Sequence, residues 1–253
     1  MHPIYVLWAT PRSTSTAFEW MMRMRGDMAC FHEPFGECWY QGDDALAPRL
    51  TAESPRQPGM TFATVMQSMV DASQTQPVFS KDMPQFTDHL WGENFFAAFT
   101  HAFLIRDPAK VMLSMARTDE EFLAKEMGFK DQQRLFDILA DRDGKAPLVI
   151  DSDDLLEDPQ AMVRMYCNVM GFPFIPKALS WEPGSRSEVL WYDKKGVFHD
   201  TLKKSTGLKP QPRKTVDITQ APDWAKRQYE EFLPHYQYLY QHRRTASKAT
   251  DAA

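Results

Sequence analysis

A single arginine near the start of the chain is followed by four residues that carry hydroxyl groups. Arg12 precedes Ser13, Thr14, Ser15 and Thr16. Hydroxyl groups donate hydrogen bonds to anionic oxygen atoms, and a guanidinium adds a positive charge with a fixed fork of donors. Ser and Thr are also the preferred residues at helix N-caps, which explains the same stretch without any ligand. The pattern therefore predicts an anion-binding loop or a helix cap.

The flanking residues predict that this stretch joins a strand to a helix. Ile4–Trp8 is a short apolar run typical of a buried strand, and Thr10-Pro11 indicates a turn after it. Apolar residues at helical spacing follow, and Gly26 suits a helix C-cap. The amide groups of a first helical turn have no intrahelical partners and lie at the positive end of the helix dipole. Such a unit favours binding of a phosphate-like anion.

A second motif begins at a buried strand in the middle of the chain. Ala102–Ile105 predicts the strand, Arg106 follows it, and Pro108 is suited to the first position of a helix. Ser114 lies eight residues after the arginine. Ligands of open α/β sheets bind beyond the carboxyl ends of the strands, where Arg106 can fork onto a phosphate. A surface pair between Arg106 and Asp107 is the alternative explanation.

Together the two motifs resemble those of sulfotransferases that use 3′-phosphoadenosine 5′-phosphosulfate (PAPS). Residues 11–16, Pro-Arg-Ser-Thr-Ser-Thr, are similar to that family's 5′-phosphosulfate loop, with Thr14 at the usual glycine position. The Arg-Asp-Pro sequence at 106–108, with a serine eight residues after the arginine, is similar to its 3′-phosphate motif. The resemblance covers about residues 4–175. It implies that the donor-binding residues are Arg12, Ser13, Thr14, Ser15, Thr16, Arg106 and Ser114.

Sulfuryl transfer to an alcohol requires a base and cations, and the sequence offers candidates for both. Glu33 follows the predicted strand Ala29–Phe31, beside the first loop, and other branches of the resembled family use a glutamate in a comparable position. We predict Glu33 as the general base, with His32 as the alternative and Asp82 as a third choice. Arg12 and Lys81 are the predicted catalytic cations. In the family's cytosolic branch, the segment that matches residues 81–84 carries a catalytic histidine, which this chain lacks.

The alternation of strands and helices predicts an α/β fold with a mostly parallel sheet. The resemblance implies the P-loop NTPase-like sulfotransferase fold, a three-layer sandwich. We predict one domain over residues 1–242, with a cap or lid over 173–222 and a disordered tail over 243–253. The resembled family closes the donor site with a basic, glycine-containing segment. Lys195 and Gly196, in Lys194-Lys195-Gly196, are our first choice for it, and Lys204-Ser205-Thr206-Gly207 is the other.

Composition excludes several classes of protein. The chain has 253 residues, 43% hydrophobic and 25% charged, as in ordinary globular proteins. Its formal net charge of −5 argues against a broad nucleic-acid surface. We find neither an apolar run of the roughly 18 residues that cross a membrane nor a signal peptide, and therefore expect a cytoplasmic protein. Cys30, His32 and Cys38 lack a fourth ligand at motif spacing, so we expect no metal site.

The sequence thus predicts a metal-independent sulfotransferase that moves the sulfuryl group of PAPS to a hydroxyl of a small molecule and releases PAP. An amine is the less favoured acceptor, and a homodimer is one oligomeric state that we consider. A nucleotide-dependent kinase or NTPase is the rival enzyme, because Pro147–Asp151 resembles a Walker B strand. A non-catalytic nucleotide-binding protein is the third reading. The sequence does not identify the acceptor.

Overall fold

The core of the protein is a five-stranded parallel sheet, seen in a computed structural model that describes residues 1–118, 122–184 and 200–246. The strands are β1 Ile4–Ala9, β2 Ala29–His32, β3 Val78–Asp82, β4 Thr100–Ile105 and β5 Leu148–Asp151. Their order across the sheet is β2-β3-β1-β4-β5, and every neighbouring pair is parallel. The predicted α/β fold with a mostly parallel sheet is confirmed.

Helices cover both faces of this sheet. They are α1 Ser15–Arg25, α2 Pro34–Gln41, α3 Phe62–Ala72, α4 Glu93–Ala97, α5 Pro108–Met115, α6 Ala124–Met127, α7 Phe129–Asp143, α8 Ser152–Glu157, α9 Pro159–Met170, α10 Asp200–Lys203 and α11 Asp223–Gln241. One core contains side chains of α1 and α9, and the other contains side chains of α2, α3 and α7. The result is three layers.

Strand β1 is the centre of the sheet and contributes to both cores. Ile4, Val6 and Trp8 pack in the core beside α7, and the three residues between and after them pack in the core beside α1. All six residues of β1 are buried. A strand covered on both faces has no polar side, which is why its sequence is a continuous apolar run rather than an alternation.

Some elements differ from the sequence-based expectations in extent or were not anticipated. Helix α2 begins at Pro34, directly after β2, in a segment to which the sequence analysis assigned no element. Helix α8 begins directly after β5, in an acidic segment that the sequence analysis also did not assign to a helix. Proline at the first helical position and aspartate at the N-cap are the signals that were available for these two helices.

The segment predicted as a lid is irregular where the structure describes it. Over residues 173–184 and 200–222, it contains a 3₁₀ turn at Pro176–Leu179, helix α10 and a second 3₁₀ turn at Ile218–Gln220. A single β-bridge joins Ser180 to Gly207. The division into a domain and a lid stays a prediction.

The predicted tail begins with residues that contact the domain. Nε of Arg243 lies 2.8 Å from a carboxylate oxygen of Asp154, and the amide of Arg244 donates to the carbonyl of Val149. Residues 247–253 lie outside the described part of the chain. Among the described helices, none has the length and apolar character to span a membrane.

Candidate active site

The loop between β1 and α1 adopts a backbone conformation that few residue types tolerate. Arg12 and Thr14 have φ values of 61° and 72°, in the left-handed region. Glu33, after β2, is the third such non-glycine residue among those described, with φ 45°. Glycine enters this region without strain, whereas other residues do so at a cost of about 1–3 kcal/mol. Strained backbone therefore concentrates where β1 and β2 end.

Hydrogen bonds fix the loop from inside. Ser13 is fully buried, and its hydroxyl donates to the carbonyl of Thr10 at 2.7 Å. The carbonyl of Ser13 in turn accepts from the hydroxyl of Ser152, which also bonds the carbonyl of Ile105 at the end of β4. The Ser13 hydroxyl thus holds the loop rather than pointing at a ligand. Ser152 was missed by the sequence analysis, and no pattern around it signals this role.

The first turn of α1 carries no side-chain cap. Thr14 is the N-cap residue, but its side chain does not accept a hydrogen bond from the first-turn amides. The loop residues predicted to bind the donor, Arg12 through Thr16, all line the same cavity. Uncapped amides at a helix N-terminus provide an anion-binding surface. Of the two explanations for the hydroxyl run, simple side-chain capping by Thr14 does not apply.

The two sequence motifs meet directly. Nε of Arg12 donates to Oγ of Ser114 at 2.9 Å, and Nη1 of Arg106 donates to the carbonyl of Arg12. Nε of Arg106 is buried and has no hydrogen-bond partner within the described residues. Burial lowers the pKa of Arg106, against the opposing effect of nearby aspartates, of which Asp153 is the largest contributor. A buried guanidinium with an unused donor suits a ligand anion.

Lys81 lies between the loop and Glu33. Its ammonium group is fully buried, forms an ion pair with Glu33 and lies 3.5 Å from the hydroxyl of Thr16. Burial favours the neutral form of Glu33, but the charges of Lys81 and then His32 outweigh it, so the pKa of Glu33 lies below its usual value. Glu33 is therefore an ionised carboxylate at neutral pH, as a proton acceptor must be.

His32 is held by a glutamate that the sequence analysis overlooked. Nδ1 of His32 lies 2.6 Å from a carboxylate oxygen of Glu19, whose other oxygen pairs with Arg23 at 2.8 Å. Burial opposes ionisation of Glu19, yet the charge and hydrogen bond of His32 lower its pKa. His32 borders the cavity, but its side chain is only 3% exposed. The available signal for Glu19 was an acidic residue among the apolar positions of α1.

Asp82, the third candidate base, has its carboxylate engaged elsewhere. One oxygen accepts the amide of Phe35 at 2.7 Å, in the first turn of α2, and the other accepts the amide of Met83 at 2.8 Å. Burial, with the charge of Glu33, raises the pKa of Asp82 well above its usual value. Asp82 does not line the cavity. It supplies the cap of α2 that Glu33, the N-cap residue, does not provide with its own side chain.

Of the predicted site residues, Arg12–Thr16, His32, Glu33, Arg106 and Ser114 border one cavity of about 510 Å³, whereas Lys81 and Asp82 lie behind its wall. Part of its wall comes from the predicted lid, in particular Trp181, Thr201, Leu202, Ser205, Gly207, Leu208 and Lys214. Gly207 has φ 145°, and a Cβ there would lie 2.3 Å from the carbonyl of Leu179. The segment 204–207 thus lies at the cavity, whereas Lys195 and Gly196 fall outside the described residues.

The residues considered for a metal site or a Walker B strand have other partners. One oxygen of Asp151 caps α8, and the other accepts the hydroxyl of Tyr236 at 3.1 Å. The thiol of Cys38 lies 3.4 Å from a carboxylate oxygen of Asp44. Within residues 1–118, 122–184 and 200–246, no group of three or more His, Cys, Asp or Glu side chains could hold a metal ion.

Comparison with known proteins gives the following. A family model described as a sulfotransferase domain matches residues 4–223. Branched-chain-amino-acid aminotransferase-like protein 2 of Arabidopsis thaliana is 25% identical over 211 residues, which cover 79% of this chain and 35% of that protein. The chain therefore spans about a third of the length of this curated relative.

Two solved structures match this chain. The sulfotransferase domain from the Synechococcus PCC 7002 olefin synthase superposes with a TM-score of 0.53 at 15% identity, over 92% of this chain and 95% of that one. The sulfotransferase domain from the curacin biosynthetic pathway gives a TM-score of 0.45 at 12% identity, over 92% and 97% of the two chains. The first of these supports the fold described above.

Proposed function

Because the chain belongs to the sulfotransferase domain family, we propose that it transfers the sulfuryl group of PAPS to the hydroxyl group of a small molecule. The observation that carries this proposal is the contact between the two motifs. Arg12 of the first motif and Ser114 of the second lie 2.9 Å apart on the wall of one cavity. A donor with a phosphate at each end of its ribose can bind both motifs at once.

The residues of the cavity fit such a donor. Arg106, with its unpartnered buried Nε, and Ser114 would bind the 3′-phosphate. The uncapped first turn of α1 would bind the 5′-phosphosulfate through backbone amides and the hydroxyls of Ser15 and Thr16. The strained φ of Thr14 supports this assignment, because it is the conformation that the family's glycine would adopt there.

Glu33 would act on the acceptor hydroxyl, and Lys81, its ion-pair partner, would act on the leaving oxygen. PAPS supplies an activated sulfuryl group. Glu33 accepts the proton of the acceptor hydroxyl while that oxygen bonds to sulfur and the bond from sulfur to the 5′-phosphate oxygen breaks. Lys81, beside Thr16, and Arg12 stabilise the negative charge that develops on the released phosphate oxygen. PAP and the sulfated acceptor are the products.

The remaining assignments are the segment that closes over the donor, the alternative base and the less favoured acceptor. The segment 204–207, at the cavity, would close over the donor, and Lys195 and Gly196 are the other candidates for that role. His32, held by Glu19, is the alternative base. An amine acceptor is the less favoured one, because Glu33 with its lowered pKa is a weak base for an ammonium group.

The proposal is tested by thermal unfolding with PAP, with ADP, and with ATP plus Mg²⁺. A ligand at about 100 times its dissociation constant adds about 2.7 kcal/mol of stability. We expect PAP to give the largest shift, and transfer from labelled PAPS to a pool of alcohols to follow. Stabilisation by ATP with Mg²⁺ but not by PAP would support the kinase reading instead. Stabilisation by PAP without any transfer would support a non-catalytic binding protein.

A further inference from the structure

One wall of the cavity lies beyond Glu33 and is not used by the donor motifs. We call it the acceptor wall and define it by Tyr40, Met83, Phe86, Phe122 and Glu126, all of which line the cavity. Four of these five side chains are apolar or aromatic. The carboxylate of Glu33 faces the same cavity, so a hydroxyl group at Glu33 belongs to a molecule whose remainder contacts this wall.

Packing fixes the position of the wall close to Glu33. The ring of Phe86 lies over Gly36 in α2. A Cβ added at Gly36 would lie 2.8 Å from this ring and 3.3 Å from Cβ of Glu33. The same ring packs against Trp39, with centroids 5.0 Å apart, and against Tyr40, with centroids 5.8 Å apart. The apolar part of the wall is therefore held rigidly beside the proposed base.

The charged member of the wall is neutralised within the protein. Glu126 pairs with Arg49 at 2.8 Å, and the same carboxylate oxygen accepts the amide of Leu123 at 2.7 Å. The guanidinium of Arg49 lies 5.7 Å from the centre of the Phe122 ring. The side chain of Glu126 is 3% exposed, and that of Arg49 is 48% exposed. Glu126 thus binds Leu123, the residue after Phe122, and offers no uncompensated charge.

We propose that the acceptor is an uncharged alcohol with a largely apolar body, aromatic or alkyl, that packs on the acceptor wall. This inference rests on the proposed function. Burial of apolar surface favours such a body, whereas a charged substituent would lose its hydration without gaining a partner. Both carboxylates at the wall, Glu33 and Glu126, already have a cation. Arg117, Arg213 and Lys214 also border the cavity, but all three are exposed, where solvent and salt screen their charges.

The test compares acceptors of similar size that differ in the charge of the group at the far end from the hydroxyl. One set is 4-propylphenol, 3-(4-hydroxyphenyl)propanoate and tyramine, and the second is 1-hexanol, 6-hydroxyhexanoate and 6-amino-1-hexanol. With labelled PAPS, we expect kcat/KM for the neutral member of at least one set to exceed both charged members by about tenfold or more. Equal or better use of a charged member in both sets would overturn the inference.

Substitution of Arg49 tests the charge argument directly. In Arg49→Ala the carboxylate of Glu126 loses its cation. The kcat/KM ratio of tyramine to 4-propylphenol should therefore rise about fivefold or more, and the ratio of 3-(4-hydroxyphenyl)propanoate to 4-propylphenol should fall. Arg49→Lys should retain the wild-type order. Arg134→Ala is the matched control, because Arg134 also pairs with a carboxylate, that of Asp131, and lies over a ring, that of Trp91, but neither of these partners lines the cavity. An unchanged ratio in Arg49→Ala would contradict the pairing on which the inference depends.

Binding of PAP separates failure of the inference from failure of the proposed function. Each variant is first checked by thermal unfolding with PAP, which reports the donor half of the cavity. PAP stabilisation with transfer to charged acceptors only would overturn the acceptor class and leave sulfuryl transfer intact. Absence of PAP stabilisation in the wild type would overturn the proposed function, and the inference with it. PAP stabilisation without transfer to any of the six compounds would also contradict the inference.

Discussion

Nε of Arg12 donates a hydrogen bond to Oγ of Ser114 at 2.9 Å, although the two residues are 102 positions apart in the chain. Arg12 ends the turn after β1, and Ser114 lies in the second turn of α5. Arg106 adds a second connection by donating to the carbonyl of Arg12. The loop at one end of the proposed donor and the motif at its other end are therefore parts of one hydrogen-bonded unit. We therefore expect a substitution in either motif to affect the geometry of both.

Arg106→Ala should weaken PAP far more than 5′-AMP, which lacks the 3′-phosphate. Hydrogen bonds to charged groups contribute about 1.5–3 kcal/mol, so we expect a loss of about 10- to 150-fold for PAP. Isothermal titration with both nucleotides measures the difference. Arg142→Ala, at an exposed pair with Asp143, is the control and should change neither affinity. Equal losses for the two nucleotides would mean that Arg106 does not bind the 3′-phosphate.

Glu33→Gln should lower turnover and leave PAP affinity nearly intact. General-base assistance is worth about 10²–10⁴ in rate, and the amide cannot accept the proton. Burial raises the pKa of Glu33 but the charge of Lys81 lowers it further, so the acid limb of kcat/KM in the wild type should lie below the ordinary pKa of a glutamate. Steady-state kinetics across pH, with PAP titrations, measures both effects. Glu37→Gln, on the same helix but not lining the cavity, is the control. Full turnover in Glu33→Gln would point to His32.

Asp82→Ala should reduce both stability and turnover through the position of Glu33. It leaves the buried amides of Phe35 and Met83 without an acceptor, which costs about 1–3 kcal/mol for each unsatisfied group. The N-terminus of α2 then loses the cap that holds Glu33 at φ 45°. We expect kcat to fall about tenfold with PAP affinity unchanged, measured by kinetics and chemical denaturation.

A control separates positioning from a general loss of stability. Asp158 caps α9 by accepting the amide of Ala161 at 3.0 Å, and its side chain is exposed and distant in sequence from Glu33. Asp158→Ala should lower the free energy of unfolding without lowering kcat. Asp82→Asn keeps one acceptor oxygen and should recover part of the turnover. If Asp82→Ala and Asp158→Ala have the same kcat, Asp82 does not position the base.

Asp151→Asn should become relatively more stable than the wild type as pH rises. Burial, with the charges of Asp154 and Asp153, raises the pKa of Asp151 to about 6. Its contribution to stability is therefore complete below about pH 4, the unfolded-state pKa, and is lost as pH rises through 6. An asparagine carries no charge and still caps a helix well. Between pH 4 and 7 the difference in free energy of unfolding should shift by about 2–3 kcal/mol in favour of the variant.

Urea denaturation at a series of pH values provides this measurement. Asp158→Asn is the matched control, since Asp158 is also an N-cap residue but is exposed to solvent. A pH dependence that Asp158→Asn shares with Asp151→Asn would not arise from burial of the carboxyl group. A flat profile for Asp151→Asn would show that the carboxyl group titrates alike in the folded and unfolded protein.

The strands and most helices were predictable because each has a local pattern. Ile4–Trp8 and Ala102–Ile105 are continuous apolar runs, as expected of strands buried on both faces. Gly26 ends α1 in the left-handed conformation that its position indicated, and Gly171 ends α9 in the same conformation. Short helices such as α2 and α8 have no periodicity to detect, and only their first residues identify them.

The site was predictable to the extent that its residues lie in motifs. Arg12, Arg106 and Ser114 were expected together and are in contact through hydrogen bonds. Pairings between distant residues, such as Glu19 with His32 or Ser152 with Ser13, could not be predicted, because they depend on side-chain geometry that no spacing encodes. Asp82 was expected at the site as a third candidate base, but only the fold shows that its carboxylate caps a helix.

The central place of β1 has a consequence for synthesis of the protein. Both of its neighbours come much later in the chain, with Ile4 opposite Val78 on one side and Tyr5 opposite Thr100 on the other. During translation, Ile4–Ala9 leaves the ribosome as an apolar segment with both edges unpaired until β3 has emerged, and with one edge unpaired until Ile105 has emerged. A chaperone that binds extended apolar peptides would find a target there. The loop between β1 and α1, which begins where this strand ends, forms only after both neighbouring strands have paired with β1.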